Sequence, residues 1–302
     1  MATQVDNGAG FEYCCALSLL EQYRQHDRDL FIDQQSIPGF QLRQRRYQDV
    51  KPETANQQLR AAKAVAHHVT TSNERWAKNL FDAKRSYKMR IGDDARNMDV
   101  RDLVIYADNI PAFGISLKWN SEEIKSLRLG DNWFKKFYIP DQSQWQSQVQ
   151  DLHKTLSSYK TWREAIADIG AEDLFGTYRK GVVNAINRGI GKPGFIKSFS
   201  QFLFGKQDYL KVMAIAKGKD ISLAYYDSSK LPTKIHSAHE SERGPHYFEI
   251  AFDRGWTLLF RLHNKDSKIK PDAVGSGMSL TITVTGWGER SGQRCWRVPD
   301  DD

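Results

Sequence analysis

The chain carries two hydrophobic periods in separate blocks. Over residues 10–24, apolar Phe11, Cys14, Cys15, Leu19 and Leu20 recur at helical spacing and predict an amphipathic helix. Asn7-Gly8 is expected to turn and cap before it, and Glu12 falls in its first turn, where an acid suits the helix dipole. Residues 37–51 are polar and irregular. Residues 52–70, rich in Gln, Ala and Lys, read as helix, 74–81 continue helically, and 87–97 read as a charged loop.

The period then shortens to that of strands. Residues 102–106 and 115–119 are rich in β-branched and aromatic side chains and predict two strands, joined across 107–114 with Asn109 and Pro111 as breakers. A helix is expected over 121–129, capped by Asn120 or Ser121. Residues 145–187 are predominantly helical in pattern. G-I-G-K-P-G at 189–194 breaks them, without the spacing or the closing Lys-Ser/Thr of a phosphate-binding loop. A short apolar helix over 196–204 precedes strand-like runs at 210–216, 221–226, 247–252, 256–262 and 280–285. The last of these alternates L-T-I-T-V-T, the period of a sheet with one polar face.

This order of helices, a strand pair, helices and strands predicts an α/β chain of mixed α+β type. One domain is expected over 1–302. It would hold a core at about 1–135, a helical insertion at about 140–205 and a strand-rich part at about 206–290.

Composition narrows the class. The 302 residues are 40% hydrophobic, which suits a packed globule rather than a disordered chain. No apolar run reaches the roughly 18 residues a bilayer span needs, and MATQVDNGAG lacks a signal-peptide layout. A soluble, intracellular protein is therefore expected. Cys14, Cys15 and Cys295 do not have zinc-cluster spacing and read as reduced core thiols. A net charge of +7, with clusters at R-Q-R-R (43–46) and K-D-S-K-I-K (265–270), favours a polyanionic partner, although each cluster could equally be a solvated face.

One stretch carries candidate chemistry. Hydrolysing a phosphodiester calls for a hard cation held by oxygens, an activated water and stabilised phosphoryl charge. Asp102 heads one predicted strand and Lys118 ends I-S-L-K on the next; Ser116 and Lys118, two apart, share a face. This resembles Asp, spacer, (Asp/Glu)-x-Lys, with Ser116 in the place of the acid. Glu12, or else Glu122 or Glu123, could supply the missing carboxylate. Taken alone, an Asp with a following x-Lys is as well explained by a salt bridge at a sheet edge.

Several segments act together. N-G-A-G-F-E-Y at 7–13, D-V-R-D-L-V-I at 99–105, G-I-S-L-K-W-N at 114–120, I-K-S-L-R-L at 124–129, F-G-K-Q-D-Y-L-K-V at 204–212 and F-R-L-H-N-K-D-S-K-I-K-P at 260–271 occur in this order. They resemble the HaeIII-type restriction endonucleases. The resemblance implies a PD-(D/E)xK nuclease fold, with a central mixed sheet flanked by helices and a C-terminal β-rich DNA-recognition part. It implies a type II, Mg²⁺-dependent, site-specific deoxyribonuclease that cuts duplex DNA at a short palindrome of the GGCC kind. A homodimer on DNA, a cognate DNA methyltransferase and a prokaryotic cytoplasm go with that reading. Carried over, Asp102 and Glu12 would hold metal, with Asp99 as a further ligand. Lys118 would orient water and stabilise charge. Where the family's residues after the lysine tend to be rich in His and Asn, this chain reads W-N-S-E-E.

Candidate DNA contacts are Asn120, Ser121, Lys125, Ser126 and Arg128 after the catalytic strand. Arg261, His263 and Asn264 follow on or just past a later strand, and Ser267, Lys268 and Lys270 suit phosphates. Two other functions compete: a non-catalytic DNA-binding protein with a decayed site, and a structure-specific repair nuclease on the same fold.

Overall fold

The computed structural model describes residues 4–72, 74, 77, 85–92, 101–121, 125–128, 143–192, 194–205, 207–264, 269, 278–286 and 293–298. In chain order the elements are α1 (Gln4–Gln25), β1 (Leu30–Ile32), α2 (Ile37–Gln48), α3 (Pro52–Thr71), β2 (Tyr87–Ile91), β3 (Leu103–Ala107), β4 (Ile110–Trp119) and β5 (Lys125–Arg128). There follow α4 (Ser143–Leu156), α5 (Trp162–Ile169), α6 (Ala171–Gly189), α7 (Phe195–Phe204), β6 (Tyr209–Ile215), β7 (Asp220–Tyr226), β8 (Ile235–Glu240), β9 (Tyr247–Phe252), β10 (Thr257–Asn264), β11 (Met278–Gly286) and β12 (Gln293–Arg297). The chain divides into two compact units, one of 1–122, 205–229 and 291–302, the other of 123–204 and 230–290.

Among the described residues the first unit is built on a mixed sheet of seven strands, ordered β1-β2-β3-β4-β6-β7-β12. β4 and β6 pair in parallel, as do β1 and β2; the other pairs are antiparallel. Strand alternation sorts the side chains. Leu103 and Ile105, then Ile115, Leu117 and Trp119, then Leu210, Val212 and Ala214 share one core with Phe11, Cys15 and Leu19 of α1 and Ala62, Val65 and Val69 of α3. Phe11 lies 5.2 Å from Trp119, centroid to centroid. Burying one such side chain contributes about 1.5–3 kcal/mol. Helices on this face leave Ser116 and Lys118 on the other.

In the second unit, β5-β11-β10-β9-β8 form a five-stranded antiparallel sheet. Phe248, Ile250, Leu258, Phe260, Leu262 and Ile282 are buried, and Asn187 of α6 pairs its side-chain amide with both backbone groups of Ala238 on the edge strand β8.

The sequence expectations meet several corrections. Residues 37–48 form α2, with Pro38 in its first turn, although their pattern is polar. Within the expected loop at 87–97 lies β2, where Tyr87, Met89 and Ile91 are buried and Lys88 and Arg90 alternate with them. The strand pair is closed by Asp108 and Asn109, both at positive φ (51° and 66°), so β4 begins at Ile110 and takes in Pro111. α1 starts at Gln4 and contains Asn7-Gly8 rather than being capped by them. The expected helix at 121–129 is replaced at 125–128 by a strand paired with β11. The strands at 209–226, grouped in sequence with the C-terminal part, sit in the first unit's sheet. Cys14 and Cys15 are buried free thiols, as expected. Among the described residues, no helix is long and apolar enough to cross a membrane.

Candidate active site

β4 runs on beyond the end of its partner β3. Asp102, just before β3, donates its backbone N–H to Ile115 O and accepts from Gly92 N on the other side, both at 2.8 Å. Past that point no strand among the described residues meets the Leu117 N–H. The Asp102 carboxylate takes it, with Oδ2 accepting from Leu117 N at 2.6 Å and from Ser116 Oγ at 3.3 Å. Lys118 Nζ lies 4.0 Å from the same oxygen. Asp102, Ser116 and Lys118 thus converge by backbone geometry, and both charged side chains keep partial exposure, 22% and 30%.

Glu12 on α1 belongs to this group electrostatically. Burial, and next the Asp102 carboxylate, push the Glu12 carboxyl up to about 7, against the pull of Arg43 and Lys118. Arg43 of α2 donates to Glu12 Oε2 at 2.5 Å. The cluster R-Q-R-R is therefore not simply a solvated face, because Arg43 is buried. One helical turn on from Glu12, the Cys15 thiol is pushed well up by burial, then by Cys14, Glu12 and Asp102.

β6 brings two groups that the sequence pattern alone did not single out. Lys211, 1% exposed, is the register partner of Ser116, and parallel pairing places both on one sheet face. Tyr209 stacks on Tyr226 at 4.7 Å. Its buried hydroxyl has no hydrogen-bond partner among the described residues and is held far from ionisation by burial, then Tyr226 and Asp102. A lysine inside the apolar run Y-L-K-V-M-A-I is the same signal that marked Lys118 and was available in the sequence. Arg43 carried no such signal.

The other candidates fall in several places. Asn120 sits at φ +50°, donates its N–H to Ala214 O and receives Lys217 N on its side-chain oxygen at 2.8 Å, tying β4 to the β6–β7 turn. Ser121 follows it. In the second unit, Arg261 is exposed, with its guanidinium 5.9 Å from the Tyr247 ring centroid. Two residues on, the His263 ring contacts Thr281 Oγ1 at 2.9 Å, and Asn264 ends the strand. The backbone register places Ser126 opposite Thr281, Arg128 opposite Ser279 and Lys125 opposite Ile282, on a strand rather than the expected helix. Asp99, Glu122, Glu123, Ser267, Lys268 and Lys270 lie outside the described residues.

The family model described as HaeIII restriction endonuclease matches residues 8–228, a span that includes Glu12, Asp102, Lys118 and Lys211. The chain belongs to the HaeIII restriction endonuclease family. Neither the curated proteins nor the solved structures gave a match. For a member of the HaeIII family the α/β fold described above is a restriction endonuclease fold, and membership implies a nuclease with DNA as substrate.

A hard dication fits the residues present. Asp102 and Glu12 each have one carboxylate oxygen engaged by the protein, Oδ2 and Oε2, and the other takes none of these bonds. Mg²⁺ is commonly held by one or two carboxylates, with water and substrate phosphate completing its shell. Mutual repulsion between the two carboxylates is what a cation would relieve. Among the described residues no group of three or more His, Cys, Asp or Glu is gathered, so a third protein carboxylate would have to come from elsewhere.

Proposed function

We propose that the protein is a type II restriction endonuclease that hydrolyses both strands of duplex DNA at a short palindrome of the GGCC kind, with Mg²⁺ as cofactor. The observation that carries this is the convergence of Ser116, Leu117 N–H and Lys118 on one oxygen of Asp102, within the span the family model matches. Asp102 and Glu12 would hold the ion, and Asp99 is the further candidate. A bound ion would polarise a phosphoryl oxygen and ease deprotonation of a water. Lys118 donates to the attacked phosphoryl group and orients the water, whose oxygen adds to phosphorus and gives up a proton to solvent as the bond to the leaving oxygen breaks and that oxygen takes a proton from solvent. Leu117 N–H fixes Asp102, so the carboxylate meets the phosphate already oriented. Glu12 supplies the carboxylate that Ser116 does not.

Recognition falls to the polar side of the second unit's sheet, through Arg261, His263 and Asn264, and to the residues around Asn120, Ser121, Lys125, Ser126 and Arg128. Ser267, Lys268 and Lys270 would take phosphates. A palindrome is met most economically by a homodimer with one site per strand. A cognate methyltransferase would protect the host's own sites in a prokaryotic cytoplasm.

The test is incubation of purified protein with unmodified plasmid, in Mg²⁺ and in EDTA, followed by end sequencing. Metal-dependent fragments that share one short palindrome at their ends are expected. Salt-sensitive binding without cleavage would move the assignment to a DNA-binding protein, and cleavage only of branched DNA to a repair nuclease.

A further inference from the structure

We propose that Arg43 is a positioning residue for the candidate metal site, acting through Glu12. One guanidinium joins two backbone carbonyls and the carboxylate. Nε donates to Glu12 Oε2 at 2.5 Å, Nη1 to Gly39 O at 3.2 Å within its own helix, and Nη2 to Gly92 O at 2.8 Å at the end of β2. Gly92 in turn donates its N–H to Asp102 O at 2.8 Å. Arg43 therefore links the helix bearing Glu12 to the backbone that carries Asp102. The joint has no slack: a Cβ on Gly92 would stand 2.4 Å from Arg101 O.

The arrangement suits an anchor more than an incidental ion pair. Arg43 and Glu12 side chains are 9% and 17% exposed, so both charges have largely left water. Such a pair gains little stability over apolar packing and is better explained by what it holds in place. The planar fork fixes the carboxylate's orientation, engaging Oε2 and leaving Oε1 for a cation. An ammonium cannot reach Glu12 and Gly92 with comparable geometry. A ligand oxygen would touch the ion while the guanidinium bonds the carboxylate's other oxygen, so holding the ligand would outweigh like-charge repulsion.

This inference rests on the metal-binding reading of Glu12, and the test separates the two. Mn²⁺ binding to metal-stripped protein is measured by electron paramagnetic resonance for wild type, Glu12→Gln, Arg43→Gln, Arg43→Lys and the Glu12→Gln/Arg43→Gln double variant, each with a thermal melt. Loss of an outer partner of a ligand weakens metal affinity by about 10–100-fold. Arg43→Gln is expected to bind Mn²⁺ about tenfold more weakly, Arg43→Lys to fall between it and wild type, and the double variant to match Glu12→Gln alone. Arg43→Gln binding as tightly as wild type, or more tightly, overturns the inference. So does a double variant that loses the product of the two single effects. If Arg43→Gln does not fold, a folded Arg43→Lys with wild-type affinity overturns it equally. Glu12→Gln binding Mn²⁺ like wild type instead removes the metal role of Glu12, and the role of Arg43 with it.

Discussion

The Asp102 carboxylate accepts the Leu117 backbone N–H at 2.6 Å, so the residue proposed for chemistry also completes the bonding of β4 past the end of β3. The two roles separate by substitution. Asp102→Asn keeps an oxygen for Leu117 N–H and is expected to melt near wild type while cutting about 10²–10³-fold more slowly, as a lost charge at a reacting centre does. Asp102→Ala leaves the N–H unmet and is expected to lose about 1–3 kcal/mol as well. Thermal melts beside plasmid cleavage check both, and an Asp102→Asn protein cutting at the wild-type rate would remove the site assignment.

Glu12 gives the metal-free protein a pH signature. Its folded carboxyl lies at about 7 against an ordinary value of 4.5, raised chiefly by burial and by Asp102. A raised carboxyl means the folded state binds more protons than the unfolded chain between those two values, so stability is highest below the lower one and is lost as pH rises through the upper. In EDTA, wild type is expected to lose on the order of 1–3 kcal/mol as pH rises from about 4.5 to about 7.5, since one proton held only by the folded state is worth about 1.4 kcal/mol per pH unit. Glu12→Gln should flatten that slope. Denaturant melts at three pH values decide it, and equal slopes in the two proteins would remove Glu12 from the carboxylate pair.

What could be read in sequence follows from how each element is stabilised. Residues 52–71 announce themselves by helix-forming composition, and 209–215 by a nearly continuous apolar run that is buried on both faces. β1 has three residues, and β8 reads I-H-S-A-H-E on an edge, so neither carries a period to detect. Residues 125–128 became a strand because β11 offers a partner, a tertiary influence that local composition does not contain. At the candidate site, the approach of Asp102 and Lys118 was legible because both residues belong to one hairpin. Arg43 was not, since its meaning depends on Glu12, 31 residues away, and Gly92, 49 away.

Asn120 is expected to act on stability. It holds φ +50° and its side chain caps Lys217 N. Asn120→Gly keeps the backbone and loses one hydrogen bond, about 1 kcal/mol, whereas Asn120→Val adds strain for a total of about 2–4 kcal/mol. Melts of the two variants should show this order. Wild-type melting with weakened DNA binding would instead make Asn120 the DNA contact that its sequence position suggested.

Arg261 and His263 offer the sharpest test of how DNA is read. Both lie on β10, two residues apart and so on one face, with Arg261 exposed beside Tyr247 and His263 held by Thr281. A guanidinium steadied by an aromatic ring, next to an imidazole whose other contacts are fixed, suits a base edge better than a phosphate, because base reading needs defined direction. Arg261→Ala is then expected to weaken binding to the cognate duplex by about 1–3 kcal/mol and to narrow the gap to non-cognate DNA. A phosphate contact would behave differently: binding would weaken alike on every sequence, and the slope of log K against log salt would fall by about 0.9. Titrations in Ca²⁺ at several salt concentrations, on cognate and scrambled duplexes, separate the two. His263→Ala adds a second axis, since losing the Thr281 contact should lower stability by only about 0.5–1.5 kcal/mol. If it erases discrimination while the melt barely moves, His263 touches a base. If the melt falls and discrimination survives, its place is to align β10 against β11, and Arg261 reads without it.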